Sequence, residues 1–298
     1  DKSKIYKLLI SNFLILILRK MKTSINPPKN EWLELLQRPT QTIESIEQTV
    51  TAIFDDVKRN GNDGIKRYTS IFDGVDLDEL FVSEEEIIEA AKLVSNDLKE
   101  AITVSKENIE KFHAAQKTEK VLIETTKGVE CWQEKRPIQI VGLYIPGGTA
   151  PLFSSVLMLA IPAQIAGCKE IILATPPNKK GKINPAIIYA AQQCGVTKII
   201  KAGGIQAIAG LTFGTETIPQ VYKIFGPGNQ YVTVAKQLAT KYGVAIDMPA
   251  GPSALLVVAD ETADASFVAS DLLSQAEHGT DSQVILVATS MQILNEVA

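Results

Sequence analysis

Histidine is scarce in this chain of 298 residues, which holds only His113 and His278. Its three cysteines, Cys131, Cys168 and Cys194, form no C-x-x-C pair. An odd cysteine count in a chain rich in Lys and Glu suits a reducing, cytoplasmic compartment, and the cysteines are expected to be buried small hydrophobes. Charge of one sign is lacking too. The 30 basic and 34 acidic residues leave no electrostatic footprint for nucleic acid or an anionic membrane, so a small polar substrate is the better default. The apolar run from Leu8 to Leu18 is too short to span a bilayer and no small-x-small cleavage site follows it. The natural start is expected at Met21, with residues 1–20 an upstream extension. Finally, G-x-G-x-x-G nowhere follows a strand, so the usual dinucleotide fingerprint is absent.

What is present is ordinary for a globular protein: 45% apolar residues over a length that suits about two domains. From Glu31 to about Asp73 the pattern is helical, with Ile43, Ile46, Val50, Ile53, Phe54 and Val57 on one face and Gly61-Asn62-Asp63-Gly64 as a turn between helices. Ser83-Glu84-Glu85-Glu86 reads as a capping box that opens a stretch running to about Gln116, broken near Ser95. His113 lies there at helical spacing from Ile109 and reads as a partly buried structural residue. A hairpin follows around Lys127-Gly128.

After Arg136-Pro137 strands alternate with helices. Apolar strands are expected over 138–144, 170–174, 198–202, 221–225 and 244–246, separated by helices over 153–166, 185–194, 205–213 and 229–242. The same grammar returns with a strand over 255–259, a helix over 265–277 and a strand over 283–288. Such alternation implies an α/β fold with parallel sheet covered on both faces. Ligands bind beyond the carboxyl ends of such strands, which places weight on the loops 144–149, 202–206, 226–229 and 247–253. Each offers a polar candidate, Tyr144, Gln206, Asn229 and Ser253, although an ordinary turn or cap would also use these residue types. Gln275 and His278 sit three apart, on one face if the helix extends that far. They could give a divalent metal two ligands or form a helix-end hydrogen-bonding pair. A catalytic zinc needs three protein ligands, and this chain offers at most two convincing ones.

Four segments in order, Gly142-Leu143-Tyr144-Ile145-Pro146-Gly147-Gly148, Phe225-Gly226-Pro227-Gly228-Asn229, Asp247 to Ser253 and Ser274 to Gln283, resemble the histidinol dehydrogenase family. The similarity runs from about Asn26 to the last residue. It implies two incomplete Rossmann-like parallel-sheet lobes with an N-terminal helical segment. It also implies two successive NAD-dependent oxidations of L-histidinol to L-histidine through a bound aldehyde, with one zinc ion per site in a homodimer. By motif, Tyr144, Gln206 and Asn229 would contact NAD, Ser253 the substrate, and Gln275 and His278 both zinc and histidinol.

The resemblance further implies an arm at 21–38, a first α/β domain from 39–140 plus 245–298, and a Rossmann-like NAD-binding domain at 141–244. Ala254 stands where the family usually has glutamate. The family's Glu-His acid-base pair and its remaining aspartate and histidine zinc ligands are expected beyond Ala298, so no catalytic residue is assigned within this chain and the fragment alone is expected to be inactive. The rival readings are a truncated, non-catalytic nucleotide-binding paralogue and a hydrolytic zinc enzyme.

Overall fold

Capping and a buried stripe organise the helices that open the described chain, which in this computed structural model comprises residues 22–37, 43–148, 151–249, 253–276 and 282–298. A short helix α1 (Trp32–Leu35) is followed by α2 (Ile43–Asp73), in which Gly61 takes φ 51° and ψ −126° and divides two helical segments, as the Gly-Asn-Asp-Gly turn predicts. Helix α3 (Glu84–Leu93) opens on the expected capping box: Glu86 N–H donates to Ser83 Oγ at 3.2 Å, and Ser83 N–H donates to the Glu86 carboxylate at 3.0 Å. Ser95 caps α4 (Asn96–Ala114), where the break was expected. His113 is half-buried at its end, with Nδ1 3.1 Å from Gln116 Oε1.

Strands β1 (Leu122–Thr126) and β2 (Val129–Trp132) pair antiparallel, and every residue in both is exposed. Cys131 is therefore exposed, contrary to the expectation of burial, because neither face of this hairpin is packed. Cys194 is buried and Cys168 half-buried, as expected of small hydrophobes; burial pushes the Cys194 thiol up to about 11.

The alternating region forms β3 (Ile140–Tyr144), α5 (Phe153–Ile165), β4 (Glu170–Thr175), α6 (Pro185–Gln193), β5 (Lys198–Lys201), α7 (Gly204–Phe213), β6 (Lys223–Phe225), α8 (Gln230–Thr240) and β7 (Ala245–Ile246). All five strands are parallel in the order β5-β4-β3-β6-β7. Because side chains alternate along a strand, the sheet feeds two cores. On one face Tyr144, Ile172, Ala174, Ile200 and Ile224 join the stripe Ile46, Val50, Ile53, Phe54 and Val57 of α2 and residues of α7 and α8. On the other, Val141, Leu143, Ile171, Leu173 and Ile199 meet Ile102 of α4 and the apolar sides of α5 and α6.

A second parallel sheet pairs β8 (Ala254–Ala259) with β9 (Gln283–Ala288), and helices α9 (Ala265–Ala276) and α10 (Met291–Val297) bury Val268, Leu272 and Ile293 with Ala259. The fold is α/β with two parallel sheets and an N-terminal helical segment. Among the described residues, one face of this smaller sheet is uncovered, with Leu256 and Val258 56% and 69% exposed.

By their contacts, Thr40–Ser253 form one compact unit, and the chain up to Pro39 with Ala254–Ala298 another. The larger unit holds the N-terminal helices α2 to α4 together with the five-stranded sheet. The reason is packing: α2 and α4 bury their apolar stripes on the two faces of the five-stranded sheet.

Candidate functional site: the carboxyl ends of the five-stranded sheet

The chain leaves β3 for β4 on one side and returns to β6 on the other, so the strand order reverses between β3 and β6. In open α/β sheets that reversal opens a crevice at the strand carboxyl ends. The loops that end these strands touch one another. Pro176, after β4, packs so tightly on Gly147 and Gly203 that a Cβ at either would lie 2.6 Å from its ring. Gly226 follows β6 at φ 131°, and a Cβ there would overlap the Tyr144 carbonyl oxygen. Only glycine fits both the conformation and the space.

Tyr144 and Gln206 occupy the middle of this arrangement, 3% and 1% exposed. The Tyr144 hydroxyl accepts from Gly204 N–H at 3.0 Å. Burial pushes that phenol up to about 12, the Gly204 bond opposes the rise and the nearby charge of Asp73 adds to it. The side chain is neutral near pH 7 and keeps a proton to donate. Gln206 lies in the first turn of α7, its Oε1 3.1 Å from where a Cβ on Gly204 would stand. Neither its Oε1 nor its Nε2 has a hydrogen-bond partner among the described residues. A buried amide left so costs about 1–3 kcal/mol, which a ligand able to donate and accept there would recover.

Asn229 is exposed and caps α8, its Oδ1 accepting from Val232 N–H at 3.0 Å. It thus holds the amino end of that helix beside the crevice, an arrangement suited to anionic groups. Ser253 is exposed at the end of the same compact unit. The structure thus brings Tyr144 and Gln206 together through Gly204, and Tyr144 meets the loop of Asn229 through Gly226.

Sequence reasoning passed over two polar residues at these strand ends. Lys236, 1% exposed, donates to Gly226 O at 2.7 Å and to the Asp247 carboxylate, and Asp247 Oδ2 accepts from Gly226 N–H at 2.9 Å. The signal was available, since Lys236 interrupts the buried stripe Val232, Ala235, Leu238 and Ala239 of α8. Asp73, at the end of α2, has Oδ2 buried with no hydrogen-bond partner among the described residues, and burial pushes its carboxyl up to about 6. Periodicity gives no hint of that, because an aspartate at a helix end is commonplace.

Gln275 lies in the last turn of α9, half-buried, and its Nε2 donates to Ser282 Oγ at 3.2 Å. That bond turns the amide oxygen away from the serine. His278 lies outside the described residues, so the shared face expected of the pair does too. No group of three or more His, Cys, Asp or Glu side chains among the described residues is placed to hold a metal ion. Nor is any described helix long and apolar enough to cross a membrane.

Comparison with known proteins gives these features a family. The histidinol dehydrogenase family model matches residues 36–298. A histidinol dehydrogenase of Bacteroides thetaiotaomicron is 57% identical over 277 residues, covering 93% of this chain and 65% of that protein. One of Escherichia coli K12 is 53% identical over 268 residues, covering 89% and 61%. Among solved structures, histidinol dehydrogenase from Elizabethkingia anophelis superposes with a TM-score of 0.82 at 58% identity, over 93% of this chain and 64% of that one. The chain thus spans somewhat under two thirds of the length of these relatives. With the family model matching residues 36–298, well over half of its length, the chain belongs to the histidinol dehydrogenase family.

Proposed function

We propose that this chain is the nucleotide-binding part of an oxidoreductase of histidine biosynthesis, which converts L-histidinol to L-histidine through a bound aldehyde with two molecules of NAD. Family membership supports the reaction. The observation that carries the cofactor assignment is the amide of Gln206, buried beside Tyr144 at the strand reversal with both polar atoms unpartnered among the described residues.

NAD, when bound, accepts one hydride in each oxidation. The residues present fit a dinucleotide. Gln206 offers a donor and an acceptor in a site shielded from water, where unpaired polar groups discriminate strongly for a ligand that matches them. Tyr144, neutral near pH 7 as a phenol is, has a hydroxyl proton to offer while Gly204 N–H fixes the oxygen. Asn229 presents the amino end of α8 to negative charge. Glycines at 147, 203 and 226 let the loops at the strand ends pack closely on one another without a fingerprint glycine run.

The zinc requirement rests on the family alone. Gln275 and His278 would be two of its ligands, with substrate contacts from the same pair and from Ser253. The described residues do not by themselves make a metal site, since a catalytic zinc takes three protein ligands and Gln275 is an uncommon one. The homodimer and the cytoplasmic setting likewise enter with the family. No proton-transferring residue is assigned within this chain.

The test is to supply the protein expressed from its natural gene with L-histidinol, NAD and zinc and follow NADH formation. Two NADH per histidinol consumed is the expected result. Binding of NAD without any turnover would favour the truncated paralogue, and hydrolysis without NADH would overturn the reading.

A further inference from the structure

We propose that Lys236 and Asp247 are positioning residues that lock the 226–229 loop in the shape that receives the nucleotide. The inference rests on the NAD-binding reading above. It starts from the oddity of a lysine 1% exposed in the apolar stripe of α8. Such a charge is retained only where partners compensate its desolvation. Its ammonium has three: Gly226 O at 2.7 Å, Met248 O at 3.4 Å and the Asp247 carboxylate.

Asp247 closes the ring by accepting from Gly226 N–H with its other oxygen. Both backbone polar groups of Gly226 are therefore held by one ion pair, N–H by the aspartate and C=O by the lysine. Gly226 is also the residue whose φ of 131° and contact with the Tyr144 carbonyl forbid a side chain. That conformation lies outside the ordinary preferences of the chain, and the pair over-determines it. Three residues on, Asn229 caps α8 and ends the same loop. The hydrogen bond to Met248 O ties the start of the 247–249 segment, which leads towards Ser253, to the same ammonium. Lys236 is buried, and both side chains hold the backbone of Gly226. Their influence passes through Gly226.

Three variants of the protein from its natural gene test this: Lys236→Met, Lys236→Arg and Asp247→Asn. Asp247→Asn keeps an acceptor for Gly226 N–H without the charge opposite Lys236. Titration with NAD should show Lys236→Met and Asp247→Asn binding about tenfold or more weakly than wild type, a change in affinity distinct from any fall in melting temperature. With saturating NAD, kcat should recover to within about threefold, because the loop is placed by the nucleotide rather than consumed in the chemistry. Lys236→Arg, which retains donors, should recover most of the affinity. Amide hydrogen exchange at 226–229 should quicken in Lys236→Met without nucleotide present. If Lys236→Met does not fold, Asp247→Asn and Lys236→Arg decide by the same readouts. Variants that melt earlier yet bind NAD as wild type does would overturn the inference and leave the NAD reading standing. A wild-type protein that binds no NAD would overturn both.

Discussion

The two parallel sheets obey the same local grammar and end in different environments. In the five-stranded sheet, β3 and β4 carry near-continuous apolar runs, β5 adds Ile199 and Ile200 between two lysines, and helices cover both faces, so that Leu143, Leu173 and Ile200 are 0–1% exposed. In the two-stranded sheet, Leu256 and Val258 belong to an equally apolar run, Ala254–Ala259, yet stand largely in solvent while Ala259 is buried. Apolar sequence therefore selects strand and parallel pairing, but it does not create the second covering layer. That layer depends on helices far away in the chain, here α2 and α4, whose stripes reach the larger sheet only through the fold.

The largest effect that would sharpen the contrast is Phe54→Ala. Phe54 is fully buried against Phe213 and Tyr242, with ring centroids 5.7 and 6.2 Å away, and its truncation should cost about 3–5 kcal/mol in thermal or urea unfolding. The matching change at Phe267, 72% exposed in the smaller unit, should cost no more than about 0.5 kcal/mol. Equal costs would break the comparison.

Gln206→Leu probes the strand ends of the covered sheet. Removing an amide buried without partners should stabilise the nucleotide-free protein by about 1–3 kcal/mol. NAD affinity should fall at the same time. Opposite signs in the two measurements mark a residue kept for binding; loss of stability would assign it to the core instead.

Asp73→Asn should be smaller and dependent on pH. The folded protein raises this carboxyl from 3.8 to about 6, so between those values the native state binds more proton than the unfolded chain. Stability is then greatest below about pH 4, falls as pH rises towards 6, and is flat above. Because the group keeps part of its solvent, Asp73→Asn should gain only about 1 kcal/mol at pH 8 and nothing at pH 4. Parallel unfolding curves at the two pH values check it, and a gain independent of pH would assign the effect elsewhere.

The smallest change belongs to the exposed face. Val258→Thr, at a position 69% exposed, should alter stability by less than about 0.5 kcal/mol. A larger loss from the natural protein would show that the face is covered there, and would erase the distinction between the sheets.

Much of the fold was legible in the chain. The capping box at Ser83, the helix break at Ser95, the hairpin at Lys127-Gly128 and the order of strands and helices from 140 to 246 all appear as read, because each rests on contacts between residues close in sequence. The site was legible in part. Loops rich in Gly and Pro pointed to the strand ends, yet the reasons for their glycines, Pro176 against Gly147 and Gly203 and the Tyr144 carbonyl against Gly226, are long-range contacts. Cys131 was misread for a related reason, since an apolar-looking strand does not reveal that both its faces are bare.

By itself, then, the sequence determined the succession of helices and strands, their parallel pairing and the family, since periodicity, caps and motif order are properties of neighbours along the chain. Tertiary structure alone decided which apolar runs are covered, that α2 and α4 belong with the five-stranded sheet, that Gln206 is buried with no partner among the described residues, and that Lys236 holds Gly226. Those facts depend on residues distant in sequence meeting in space, where desolvation turns an unremarkable lysine or glutamine into one that must find a partner.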